Sequence, residues 1–179
     1  MKRIITRRNF LKLGVLSAAL PVQAYAKIGD SEAERSLRFY NLHTGENADL
    51  VYWAEGQYVP ESLTEINHVL RDFRTGQVDA IDPKLLDLLY RVNAMLGAAQ
   101  PFHVISGFRS PASNAMLEET TSGVAKHSLH MDGKAIDVRI PGIDLSDLRR
   151  AGLALQGGGV GYYPSSNFVH LDTGRPRFW

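Results

Sequence analysis

The chain has 179 residues, enough for one domain with a real core, and carries 20 Lys and Arg against 19 Asp and Glu. It has no cysteine, which excludes disulfide staples and thiolate metal sites, so any metal must be held by His and carboxylates. Five cations (Lys2, Arg3, Arg7, Arg8 and Lys12) fall in the first 26 residues; taking them from the 20 leaves 15 against 19 acidic groups, a net charge of −4 that argues against nucleic acid as a partner.

Residues 1–26 read as an export signal rather than as fold. The cations precede an apolar run from Leu13 to Leu20, and Ala24-Tyr25-Ala26 follows as a cleavage pattern. The run is too short for a stable membrane span, so none is expected after cleavage. "TRRNFLK" (Thr6–Lys12) resembles the twin-arginine export signal of bacteria, which implies a periplasmic protein that is folded before it crosses the membrane.

Residues 27–36 are polar and are expected to form a flexible lead, with a single domain over 37–179. From Leu37 to Trp53 the pattern predicts a hairpin, "SLRFYNLH" and "ADLVYW" around a turn at Thr44-Gly45-Glu46-Asn47. Ser62 and Glu65 have the spacing of a capping box ahead of Leu63, Ile66, Val69, Leu70 and Phe73, which share a helical face. A second helix opens with Asp82 as N-cap and Pro83 at its first position, and Gly97 offers its stop.

The remainder predicts a strand at "FHVIS" (102–106), the turn "GFRSP", and a short helix over 111–119. A strand follows at "KAIDVRI" (134–140), then a helix from Leu145 to Leu155, and a closing hairpin of "GGGVGYY" and "FVHLD". The architecture expected is α+β, an antiparallel sheet flanked by helices.

Two strands carry polar residues where chemistry can be built. Along "KAIDVRI", Ile136, Val138 and Ile140 face the core, so Asp137 faces the other way beside the small Ala135. Gly133 permits a tight turn that folds His130 back over this strand. In "FVHLD", His170 and Asp172 share the face opposite Val169 and Leu171. If the two strands are neighbours, His130, Asp137 and His170 meet, and two imidazoles with one carboxylate suit zinc with an open fourth position. The same residue types also describe solvated loop and strand positions. No serine stands in a G-x-S-x-G elbow, which argues against a serine hydrolase. His43, His68 and His103 have no motif around them, and Tyr162 and Tyr163 read as cleft lining or as packing.

"SLHMDGKAID" (128–137) fits the pattern Ser-x-His-x-x-Gly-x-Ala-x-Asp; downstream "FVHLD" (168–172) fits a second-histidine element, and upstream "SGFRS" (106–110) fits a Ser-Gly-Tyr-Arg-Ser-like turn. Together they resemble the M15 branch of the LAS metallopeptidases (lysostaphin-type, D-Ala-D-Ala peptidases and Hedgehog). "RFYNLHTGE" through "VLRDFRTGQVDAIDPKLLDLLY" extends the likeness to the YcbK/MepK-type murein endopeptidases over nearly all of 37–179.

The resemblance implies the LAS fold, zinc (Zn2+) held by His130, Asp137 and His170, and Arg109 beside the substrate carbonyl. Physically, a cation there stabilises the negative charge of the transition state. The implied partner is the peptide stem of peptidoglycan, and a monomer is expected. Relatives often carry the general base three residues before the second histidine, where this chain has Asn167. Asp172 and His127 are therefore the candidates for that role. The resemblance leaves the cleaved bond open between two meso-diaminopimelate residues or between D-Ala and diaminopimelate. It also leaves a D,D-carboxypeptidase or dipeptidase on the same fold and a non-catalytic, zinc-containing wall-binding module as rivals.

Overall fold

The computed structural model describes residues 34–121 and 125–179. The export signal and residues 27–33 of the expected lead lie outside the described residues. The first strand, β1 (Glu34–Asn41), begins earlier than the pattern suggests, so Glu34, Arg35 and Ser36 belong to the sheet rather than to a flexible lead. Arg35 accounts for the extension: its side chain is buried and reaches Asp87 at 2.9 Å, extending the alternation of Leu37, Phe39 and Asn41 by one inward residue.

β1 pairs antiparallel with β2 (Asn47–Ala54), closing the expected hairpin, and β2 pairs with the short β3 (Gln57–Tyr58). Helix α1 (Pro60–Val69) starts at Pro60 with Val59 as N-cap, and no side chain caps it. The expected capping box at Ser62 and Glu65 does not form there. Pro60 lacks an N–H and has its φ fixed near the helical value, so the helix starts at it and Ser62 falls inside. Helix α2 (Pro83–Leu96) begins and ends as expected: the Asp82 carboxylate accepts from the Lys84 amide, and Gly97 stops it in the left-handed region at φ 57°.

Four strands and two helices complete the order: β4 (Phe102–Ser106), α3 (Pro111–Thr120), β5 (Ala135–Arg139), α4 (Leu145–Leu155), β6 (Gly159–Tyr163) and β7 (Phe168–Asp172), followed by the two-residue β8 (Arg177–Phe178). All eight strands form one sheet in the order β3-β2-β1-β4-β5-β7-β6-β8. The fold is α+β, but the sheet is mixed rather than purely antiparallel: β1 runs parallel to β4, and β6 parallel to β8. The first follows from connectivity, because α1 and α2 lie between β1 and β4 and provide the crossover that parallel neighbours need.

Helices α2 and α4 pack on each other and against the sheet, α2 against β1 and α4 against β6 and β7. Leu37, Phe39, Ile136, Val138, Val169 and Leu171 from the strands meet Leu85, Leu86, Leu89 and Leu148 from these helices in one buried cluster. The strand residues between them, among them Asp137 and His170, therefore project from the opposite face. Covering one face of the sheet with helices leaves the other available for a polar site. Among the described residues no helix is long and apolar enough to cross a membrane.

Candidate metal centre and its cleft

Asp137 on β5 and His170 on β7 are register partners in an antiparallel pair. Two residues paired this way project from the same face with their side chains adjacent. His130 arrives from a 3-10 turn (Leu129–Asp132), whose first free amide is met by the Ser128 hydroxyl. Gly133 ends that turn at φ 64°, where a Cβ would run into the carbonyl of Ala80. Only glycine satisfies both the left-handed backbone and the close approach.

The result is a compact, largely dehydrated triad. His130, Asp137 and His170 are 2%, 6% and 9% exposed. Their potential ligand atoms all lie within 4.8 Å of one another. The Asp137 carboxylate stands 2.8 Å from His170 Nδ1 and 3.3 Å from His130 Nε2, and those two nitrogens are 3.2 Å apart.

The outer nitrogens decide what the inner ones offer. His130 Nδ1 lies 2.7 Å from the Gly107 carbonyl, which only accepts, so Nδ1 carries the proton and Nε2 turns its lone pair inward. His170 Nε2 lies 3.0 Å from the Asp172 carboxylate, which likewise makes Nε2 the donor and leaves Nδ1 facing Asp137. Burial pulls the His170 imidazole towards its neutral form, but Asp137 and Asp172 outweigh it and lift the group to about 9. Burial also opposes ionisation of Asp137, yet His130 and His170 hold its carboxyl well below the ordinary range. The raised value places a proton on His170 Nδ1 that donates to Asp137; exchanged for a cation, it would leave two imidazole nitrogens and a buried carboxylate facing one point. A divalent cation fits this donor set, and its outer hydrogen bonds are those that orient histidine ligands.

Arg109 stands beside this cluster with Nη2 3.7 Å from the Asp137 carboxylate and Nη1 donating to the Asn114 side chain at 3.4 Å. Burial pushes its guanidinium down from its usual range, while Asp137 opposes the fall. The turn that carries it is tied on three sides. Phe108 N donates to Leu70 O at 2.8 Å, Arg109 N to His130 O at 3.1 Å, and Ser110 N to the Asp72 carboxylate at 2.8 Å. The Ser110 hydroxyl then accepts from the Ser113 amide as the N-cap of α3. Asp72 and Asn114 were not legible as site-building residues. Each stands without a local motif, and only the fold brings Asp72 to Ser110.

The two candidates for the general base part company. Asp172 is fully buried, and both its oxygens are occupied. One accepts from the amides of Gly159 and Gly174 and from Arg177; the other accepts from His170 Nε2 and from Arg177 at 2.7 Å. It does not line the cleft, and its lone pairs are committed to holding His170 and Arg177. His127, in contrast, is exposed and lines the cleft mouth, outside the triad. Asn167 is exposed and sits at φ 56° as the C-cap of the turn Pro164–Ser166, so its identity follows from a left-handed backbone that asparagine tolerates.

The triad opens into a cleft of about 380 Å³ whose walls include Arg109, His127, Leu129, Tyr163, Phe168 and Trp179. The other histidines lie away from the triad: His43 stacks on Phe73 at 3.6 Å, His68 faces Glu46, and His103 packs against Tyr40.

Residues 30–179 match the family model Peptidase_M15_2, described as peptidoglycan L,D-endopeptidase MepK. The chain is 44% identical over 176 residues to the peptidoglycan L,D-endopeptidase MepK of Escherichia coli (strain K12), covering 97% of this chain and 96% of that protein. It is 38% identical over 177 residues to the probable peptidoglycan L,D-endopeptidase MepK of Haemophilus influenzae, covering 97% of this chain and 95% of that one.

Proposed function

The chain belongs to the M15-type, MepK-like peptidase family, and from that premise we propose that it is an exported, zinc-dependent murein endopeptidase acting as a monomer on peptide cross-links. The name of the relatives narrows the bond. An L,D-specific enzyme joins or cuts between an L-centre and a D-centre, which describes a link between two meso-diaminopimelate residues rather than one from D-Ala to a D-centre. The twin-arginine pattern of Thr6–Lys12 supports export to the periplasm, where that substrate lies.

His130 Nε2, His170 Nδ1 and the Asp137 carboxylate would hold the ion, which when bound supplies Lewis acidity that polarises a carbonyl and lowers the pKa of water towards about 7. Asp172 fixes the ring and tautomer of His170. Arg109 turns its guanidinium towards the developing charge on the carbonyl oxygen, and Asn114 and Asp137 limit its motion. His127 accepts the proton of the attacking water and returns it to the leaving amine, because of the two candidates it alone lines the cleft.

The observation that carries this reading is the convergence of two inward imidazole nitrogens, one carboxylate and a nearby guanidinium on one open cleft. Incubating the protein that begins at Lys27 with zinc and purified L,D-cross-linked muropeptide dimers tests it. Release of monomers is expected. Loss of a terminal D-Ala instead identifies a carboxypeptidase, and binding without product refutes the enzymatic reading.

A further inference from the structure

Strand β6 presents Gly159, Gly161 and Tyr163 on the face that carries His170, with Gly161 paired directly to His170. A Cβ at Gly161 would come within 2.8 Å of both the Trp179 and the Tyr163 rings. The missing side chain is therefore what lets two aromatic rings meet beside the triad. Trp179 is docked onto β6 by its own backbone, donating to Val160 O at 3.3 Å and accepting from Tyr162 N at 3.1 Å. Its ring lies 5.3 Å from that of His170, and the residue is 46% exposed. Tyr163 stacks on Phe168 with ring centroids 4.6 Å apart, so the phenol is held from the side as well.

The hydrogen bond between the two rings has only one possible direction. An indole N–H is purely a donor, so Trp179 Nε1 donates to the Tyr163 hydroxyl at 2.6 Å. That fills one acceptor position and leaves the phenolic proton to be donated elsewhere. No described residue accepts it, and both rings line the cleft that also holds Arg109 and His127. A pair serving only to pack would not need an aligned donor at the cleft wall.

We infer that Tyr163, oriented by Trp179, binds substrate by donating its hydroxyl proton to an acceptor oxygen of the peptide stem. The inference rests on the murein endopeptidase reading for the identity of the ligand. Trp179 is a positioning residue here: it holds the phenol so that little freedom is lost on binding.

The test uses Tyr163→Phe, Trp179→Phe and the double variant, assayed with zinc on L,D-cross-linked dimers. Tyr163→Phe should lower kcat/KM about tenfold, the size of one lost hydrogen bond, with metal content unchanged. Trp179→Phe should lower it less. The double variant should be no worse than Tyr163→Phe, because the indole N–H acts only through the hydroxyl. Binding is read separately from Trp179 fluorescence in a Trp53→Phe background, since the chain has 2 tryptophans, during titration with an uncross-linked muropeptide monomer that cannot be cut at a cross-link. Tyr163→Phe should weaken that titration about tenfold. Equal affinity with and without the hydroxyl, absence of binding, or multiplicative effects in the double variant overturn the inference. Failure to cleave dimers together with hydroxyl-dependent binding of the monomer overturns the endopeptidase reading alone.

Discussion

Asp137 and His170 face each other across adjacent antiparallel strands, with the carboxylate 2.8 Å from Nδ1 of the imidazole. Strand register places this pair, so it is as rigid as the centre of the sheet, and His130 closes the triad from a turn held by Gly133. The triad should therefore be formed before any ion arrives. His130→Ala removes one of the three inward donors and should reduce bound zinc from about one equivalent to a small fraction after dialysis, with hydrolysis lost. Metal analysis of the dialysed variant checks it; full zinc occupancy would show that the ion sits elsewhere.

Asp172→Asn separates an orienting role from proton transfer. The substitution keeps the shape but weakens the hold on His170 Nε2 and leaves Arg177 without its buried carboxylate. Zinc affinity should fall by about 10- to 100-fold, as for other partners of metal-binding histidines. Chelator competition measures this. Unchanged affinity with a collapsed kcat would instead make Asp172 the base.

His127→Ala should have the opposite signature. The side chain lies at the cleft mouth and outside the triad, so zinc content and thermal stability should match the parent. The loss should appear in kcat, by about 10²- to 10⁴-fold if the residue transfers the proton. A kcat near that of the parent would remove His127 from the mechanism.

Asp72 links stability to pH through the Arg109 turn. Burial works against its charge, but hydrogen bonding, led by Ser110, lowers its pKa from 3.8 to about 2. The folded value is lower than the unfolded one, so its stabilisation is fully present above about pH 4 and is lost as pH falls towards 2. Asp72→Asn should cost about 1–3 kcal/mol at neutral pH, through the impaired hold on Ser110 and Arg74 amides. Urea melts should show the gap between parent and variant closing between pH 4 and pH 2. A gap that does not change with pH would mean that the carboxylate charge is not what holds the turn.

Much of the fold was legible because local rules agreed with the tertiary outcome. Asp82, Pro83 and Gly97 bracket α2 in the chain as they do in the structure, and the alternation of "KAIDVRI" put Asp137 opposite the core. Helix α1 shows the opposite case. Two N-terminal signals compete there, and Pro60 prevails over Ser62 because a fixed φ and a missing N–H act before any side-chain hydrogen bond forms.

What the sequence determined by itself was the inventory and its periodicity: a cysteine-free donor set, the strand faces of Asp137 and His170, and the glycine that turns His130 back. These are local properties, set by side-chain chemistry and by a period of two. The tertiary structure alone decided which strands are neighbours, and with them the direction of every hydrogen bond around the triad. Asp172 reads in the chain as a carboxylate two residues from a histidine, equally able to take a proton or to orient a ring. Only the fold shows its complete burial beneath Arg177 and the amides of Gly159 and Gly174, which favours the second role, because its lone pairs are already engaged in holding neighbours.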